Sequence, residues 1–219
     1  MKRICLTIGL TLSLASPHMV ESAELEKVGE KWIYEQEGPR PLSNPPTTVE
    51  GDRVDEVISI TGEGDSMRLQ LKSVWGKNDE TPSLAMIDGR KRLHQVEIGS
   101  ALTINFAPPV PTDWPDLKVG ETTTFETKLA VMGFELPLKY EVKRLDDEAI
   151  TVPAGKFAGC RHIQMLVHGT DPSGQPNKNR YDHWFDAKSG SMVREIVVTN
   201  YQSDNSHRSI CSLKEHIVP

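Results

Sequence analysis

The sequence predicts an all-β protein: a single large antiparallel sheet, curled or opened into a barrel, with few short helices. Three observations carry this prediction. Apolar and polar residues alternate with period two in run after run. Turn-forming residues separate the runs. Beyond an N-terminal leader, no window sustains the 3.6-residue period of an amphipathic helix.

The leader comes first. Lys2 and Arg3 precede an apolar stretch, Ile4 to Ala15, and small residues follow at Ser16, Ser22 and Ala23. That is the layout of a secretory signal peptide, too short to persist as a membrane-spanning helix. Residues 1–23 are therefore set apart as a signal, cut after Ser22 or Ala23 with Ala15 as a third option. Residues 24–219 form a single antiparallel β domain. A lipoprotein would carry Cys just after the apolar stretch, whereas Cys5 sits near its start. The expected address is the periplasm, as an exported protein that is not integral to the membrane.

The strands follow in order. Glu24 to Lys31 has room for one helical turn, and a first strand is expected at 31–36, where Trp32 and Tyr34 share a face. A second is expected at 53–61, ended by Gly62-Glu63-Gly64-Asp65. Met67, Leu69 and Leu71 then alternate with Arg68, Gln70 and Lys72. Residues 95–105 read as one strand. Phe125, Thr127, Leu129 and Val131 and then Leu136, Leu138, Tyr140 and Val142 flank Met132-Gly133, so 122–145 reads as a long hairpin. Ile163, Met165 and Val167 alternate with His162, Gln164 and His168 across 161–168. Strands at 180–186 and 191–200 are joined by Ala187-Lys188-Ser189-Gly190, and 208–217 completes the set. Pro39 to Thr48, Ala107 to Pro115 and Gly169 to Asn179 read as loops.

Composition narrows the function. The 219 residues carry a net charge of −6, spread along the chain. That argues against nucleic acid or an anionic membrane as the main partner. Of three cysteines, Cys160 and Cys211 remain after the leader is removed. An even number in an oxidising compartment predicts one disulfide, closing a loop of about fifty residues and worth about 4 kcal/mol in the chain-entropy model. Two separate buried thiols are the alternative.

Catalytic signatures are missing. There is no G-x-S-x-G elbow, phosphate loop, H-E-x-x-H or C-x-x-C. His162 and His168 share a strand face but stand about 20 Å apart, too far to hold one ion. Asp182 and His183 should point to opposite faces. Asp171-Pro172-Ser173-Gly174 lacks the alternating carboxylates of a calcium loop. The expectation is a protein that is not an enzyme, with no catalytic residue, metal or cofactor. Most aromatic residues, Trp184 beside Phe185 among them, read as core. Trp114 differs: its proline-rich loop would place it at the mouth of a barrel or groove, which makes it the candidate ligand contact.

Val152-Pro153-Ala154-Gly155 has the order of a β-turn, with Pro153 pre-setting φ and Gly155 at the fourth position. Phe157 would then pack inward, and Cys160 would sit just ahead of the next strand. A lone Gly with no following helix cannot cradle a phosphate, so the residues themselves indicate a structural turn. The segment resembles the V-P-A-G-x-F motif of a group of uncharacterised exported bacterial β-proteins. Val28-Gly29-Glu30-Lys31-Trp32-Ile33-Tyr34 resembles the V-G-x-x-W-x-Y opening of that group. His183 to Val193 resembles its W-[YF]-A-x-x-x-G-x-V hairpin, with Asp186 where Ala is common and Met192 where a branched residue is usual. The resemblance implies a curved antiparallel sheet distantly similar to the half-barrels of periplasmic lipoprotein carriers. It supplies no catalytic residue, and Gly29, Trp32, Pro153, Gly155, Phe157, Trp184 and Gly190 stand in it as fold markers. The expected function is binding of an amphiphile, such as a lipid, or of an envelope component in the curved sheet. The alternative is an envelope assembly protein that acts through a protein partner at an exposed sheet edge or loop.

Overall fold

The computed structural model describes residues 26–41, 46–77, 81–170 and 174–219. The expected signal peptide and Asp171 to Ser173 lie outside these residues. Thirteen strands follow one another: β1 (Lys31–Glu37), β2 (Arg53–Thr61), β3 (Arg68–Trp75), β4 (Ser83–Asp88), β5 (Arg92–Ile98), β6 (Leu102–Pro111), β7 (Thr122–Val131), β8 (Phe134–Arg144), β9 (Glu148–Val152), β10 (Gly155–Thr170), β11 (Pro176–Phe185), β12 (Met192–Thr199) and β13 (His207–Ile217). Among the described residues the sole helical element is a 3-10 turn at Gly64–Ser66. No helix there is long and apolar enough to cross a membrane.

The expected sheet is present and closes fully. Strands β1 to β8 pair in chain order, β10 pairs with β8, and β11, β12 and β13 follow until β13 returns to β1. The pairing of β10 with β11 is part of that ring. Among the described strands only β9 stands apart, paired with the first residues of β10 from Gly155 to Cys160. Alternation decides which face looks inward. Ile163 on β10 lies opposite His183 on β11, which lies opposite Glu195 on β12, which lies opposite Cys211 on β13. These four make one row on the inner face.

Several details differ from the sequence reading: β4 and β9 are not among the expected strands, and residues 169–170 and 176–179 of an expected loop belong to β10 and β11. The expected strand 95–105 is a hairpin, β5 and β6, which turns at Gly99 with φ +57° and pairs Ile98 with Leu102. Part of the expected proline loop, through Pro111, belongs to β6, and Val110 pairs with Leu93. The expected Cys160–Cys211 disulfide is absent, and both thiols are free and buried. Strands β11 and β12 separate β10 from β13 in the wall. Cys160 sits opposite Glu148 and its thiol contacts the Phe157 carbonyl, whereas Cys211 lies beside Arg53 and Glu195.

Two clusters make the core. Val142, Ile163, Met165 and Phe185 fill the β8–β10–β11 side, with Trp114, Leu117 and Tyr140 packed against them. Trp114 meets Phe125 edge-on at 5.8 Å, and Phe125 meets Tyr140 at 6.0 Å. The second cluster gathers Ile150, Val152 and Cys160 of the β9–β10 hairpin with Tyr34, Trp184, Val193, Ile196, Cys211 and Leu213. The Val152–Gly155 turn docks here, with Ala154 N–H donating to the Leu213 carbonyl at 3.0 Å. The turn is therefore a structural element that seats the hairpin on β13.

Candidate functional site

The β1–β5 side of the barrel is not filled. A cavity of about 720 Å³ runs down from the end of the barrel where the 186–191 and 89–91 turns lie. One wall is apolar: Leu69 and Leu71 on β3, Ala85 and Ile87 on β4, and Leu93 on β5. The register explains the wall, since Leu69 faces Ile87, which faces Leu93, and Leu71 faces Ala85. Trp32, Tyr34, Phe185 and Met192 line the opposite side, and Glu26, Lys91, Ser189 and His216 surround the mouth.

Charge lies deep in this cavity. Arg53 donates to Asp55 through Nε at 3.0 Å and through Nη2 at 2.6 Å, and to Glu195 through Nη1 at 2.7 Å. Its guanidinium carbon is 4.9 Å from the Trp75 ring and 5.1 Å from the Tyr34 ring. His183 Nε2 lies 3.0 Å from Glu195 Oε1. A carboxylate accepts only, so this contact requires the proton on Nε2.

Burial and charge compete at each group. Desolvation pushes the Glu195 carboxyl up, but Arg53 and His183 outweigh it and hold its pKa at about 2. For Arg53 burial favours loss of the proton, yet Asp55 and Glu195 keep the guanidinium pKa well above its usual range. The Cys211 thiol is pushed up to about 12, mainly by burial, and stays neutral. Burial and then Asp55 raise the Tyr34 phenol as well, and its OH donates to the Met192 carbonyl at 3.3 Å. The cavity thus ends in a fixed ion group: one guanidinium, two carboxylates and one imidazole.

A second buried polar group sits on the other face of β11. His162 lies between two carboxylates, with Nδ1 2.9 Å from Glu148 and Nε2 3.1 Å from Asp182. It stacks on Trp184 at 4.2 Å, and Trp184 Nε1 donates to Glu148 at 2.7 Å. Gln164 also donates to Asp182, at 2.9 Å. The Asp182 carboxyl is raised by burial but lowered more by His162, Gln164 and Arg180. None of these residues lines the cavity. Asp88, at the mouth, holds the β4–β5 turn closed, its carboxylate accepting from the Arg90 and Arg92 amides at 2.9 and 3.0 Å.

The expected marker residues meet at the mouth end of the barrel. Gly29, at φ +89°, donates its N–H to the Val57 carbonyl. Trp32 Nε1 donates to Ser191 Oγ at 3.4 Å, and its ring stacks on His216 at 5.2 Å. Gly190, at φ +70°, lets the hairpin turn so that its N–H reaches the Asp186 carbonyl at 2.9 Å. Phe157 packs on the hairpin cluster. A smaller cleft of about 380 Å³ lies between the Ala154–Phe157 and Asp186–Ser191 segments, and it shares Ser189, Ser191 and His216 with the main cavity. Trp114, the expected ligand contact, is in the packed half and not in the cavity lining. Its indole N–H is buried without a partner among the described residues. The sequence reading missed Arg53, Asp55 and Glu195, and it set His183 aside as a neighbour of Asp182 pointing to the opposite face. For Asp55, His183 and Glu195 the signal was phase: each stands on the same strand face as a buried or cavity-lining apolar residue, Asp55 with Val57, His183 with Phe185 and Glu195 with Val197.

No family model matches the chain, and no curated protein matches it. Solved structures do. A protein of Parabacteroides distasonis classed as a lipoprotein superposes with a TM-score of 0.54 and 12% identity, covering 88% of this chain and 96% of its own. A protein of Bacteroides fragilis classed as exported, with a YmcC-like fold, gives the same TM-score and identity, covering 88% of this chain and 97% of its own. The chain shares its fold with these two proteins, and the likeness extends to the fold alone.

Proposed function

We propose that the protein is an exported β-barrel module that binds an amphiphile inside the barrel rather than turning over a substrate. One observation carries this: a cavity of about 720 Å³ with an apolar wall on β3–β5 and a fixed ion group at its deep end. Ligand sites are concave, largely apolar and preformed, with a few placed polar groups, and the cavity has each of these traits. The ionisable groups at its end are engaged with one another, an arrangement that suits holding a ligand more than activating a nucleophile. The periplasmic address is supported by the leader at residues 1–23 and by the two fold relatives, one classed as a lipoprotein and one as exported.

The test is to fill the cavity. Native mass spectrometry of protein taken from the periplasm should show a discrete adduct removed by solvent extraction. Ala85→Trp, which projects an indole from the β4 wall, should lose that adduct while keeping the wild-type circular dichroism. An adduct that persists in Ala85→Trp would place the ligand elsewhere, and its absence from both proteins would refute the reading. A protein partner is favoured by a separate feature, the apolar tip of the β7–β8 hairpin, where Met132 is 79% and Phe134 59% exposed. A partner captured by wild type but not by Met132→Ser/Phe134→Ser would move the function there.

A further inference from the structure

The deep end of the cavity also indicates which amphiphile fits, if the cavity is the binding site proposed above. Among the residues that line the cavity, Arg53 is the one permanent cation at that end; Arg40 also lies over the Trp75 ring, at 5.7 Å, but does not line the cavity. The Nε and Nη2 of Arg53 are engaged by Asp55 and its Nη1 by Glu195, while the rings of Trp75 and Tyr34 lie against the guanidinium. An incoming carboxylate or phosphate normally takes an arginine fork through two parallel N–H bonds. Here that fork is already taken by Asp55. The groups facing Arg53 are Asp55 from its own strand β2, Glu195 from β12, Tyr34 from β1 and Cys211 from β13, while His183 from β11 meets the other oxygen of Glu195. The tyrosine and the thiol are neutral. With His183 neutral the group is negative, and with His183 protonated it is balanced. In neither state is it positive.

Burial sharpens the consequence. Side-chain exposure is 12% for Arg53, 5% for Asp55 and 13% for both Glu195 and His183. Charges in such surroundings act through a lower effective dielectric than water and are little screened by salt. The lysines that line the cavity, such as Lys91, belong to the mouth, where Lys91 is 37% exposed and lies near Glu26. They cannot offset the charge at the deep end. Phe185, Trp32 and Tyr34 add aromatic faces along the wall, and such faces attract cations.

We propose that the cavity selects an amphiphile with a cationic, ammonium-type head, bound head-inward against Glu195 and Asp55 with its hydrocarbon along Leu69, Leu71 and Ile87. A fatty acid or phosphate ester of the same length would meet surplus negative charge and an occupied arginine.

The experiment uses three probes of one chain length, decylammonium, decanol and decanoate, each below its micelle concentration. They are titrated calorimetrically into the mature wild-type protein at neutral pH. The expected order is decylammonium tightest and decanoate weakest, separated by at least roughly tenfold, about 1.4 kcal/mol. The gap should persist in added salt, and Glu195→Gln should narrow it. Decanoate binding as tightly as decylammonium, or a gap that vanishes in salt, overturns the selectivity while leaving the cavity as a binding site. Failure of all three probes overturns both readings. The wild-type order stands alone as a test if Glu195→Gln does not fold.

Discussion

Asp182 and His183 are adjacent in sequence, yet each pairs with the opposite kind of group on the opposite face of β11. Outside, Asp182 and Glu148 hold His162 between them, under a hairpin and against Trp184. Inside, His183 meets Glu195, which also takes Arg53 from across β1 and β13. The chemistry is nearly the same and the surroundings are not. The outer group joins two pieces of structure, β9 and the barrel wall; its Glu148 is 47% exposed, and none of its members lines the cavity. The inner group faces a cavity. Similar ion pairing therefore ties a hairpin to the wall on one face and closes the end of a cavity on the other.

The largest test of that contrast is Arg53→Met. It leaves Asp55 and Glu195 buried without their cation, and breaking a buried pair by removing one partner costs about 3–5 kcal/mol. Urea unfolding should show a lower midpoint with an unchanged slope. The outer counterpart is Arg180→Met. Arg180 is 32% exposed and lies 2.9 Å from Asp182, so its loss should cost under about 1 kcal/mol. Equal losses from the two variants would abolish the distinction.

Acid provides a second, somewhat smaller test. The Glu195 pKa is lowered from an ordinary 4.5 to about 2, so the folded state binds this proton less readily than the unfolded chain does. The stabilisation is fully present above pH 4.5 and disappears as the pH falls through about 2. It amounts to about 3 kcal/mol. Stability measured across that window should fall by about that much more in wild type than in Glu195→Gln. Parallel curves would mean that Arg53 and His183 do not hold the carboxylate charged.

His162→Ala attacks the outer face. Asp182 keeps Gln164 and Arg180, and Glu148 keeps Trp184, so what is lost is the hydrogen bonding of His162 to charged groups, about 1.5–3 kcal/mol. Amide exchange should speed up in β9 and the start of β10, while probe binding in the cavity stays as in wild type. A change in binding would show that the hairpin and the cavity are coupled.

Much of this architecture was legible because alternation is a direct record of burial in a sheet. The hairpin of β7 and β8 follows residue by residue from Phe125 to Val142. The sequence misled where two strands share one phase. Val96 and Ile98 stay in step with Leu102 and Ile104, so a turn at Gly99 leaves the period unbroken and β5 and β6 look like one strand. Strand β4 hid for another reason: Ala85 and Ile87 face the cavity while Leu84 and Met86 occupy the other face, leaving no alternation to find. Barrel closure was beyond reach, because the pairing of β10 with β8 and of β13 with β1 depends on contacts distant in sequence. The cavity group was half visible. Asp55, His183 and Glu195 stand in apolar phase, yet only the closed barrel brings β2 and β12 within reach of one arginine.

The cysteines offer the finest test, since one thiol belongs to each region and neither should change stability much. Burial raises both thiols, Cys211 to about 12 and Cys160 less, and a raised thiol has little of the reactive thiolate. Native protein should therefore react slowly with an alkylating reagent at both. Their order should differ. Cys160 lies in the part of β10 paired to β9 alone, so opening one hairpin exposes it, whereas Cys211 is hydrogen-bonded into a wall between β12 and β1. Local opening is easier than global unfolding, so peptide mass analysis should find Cys160 modified first. His162→Ala should speed that modification and leave Cys211 unchanged. If Cys211 reacts first, or both accelerate together in His162→Ala, the hairpin and the wall open as one unit and the two faces of β11 are not separate regions.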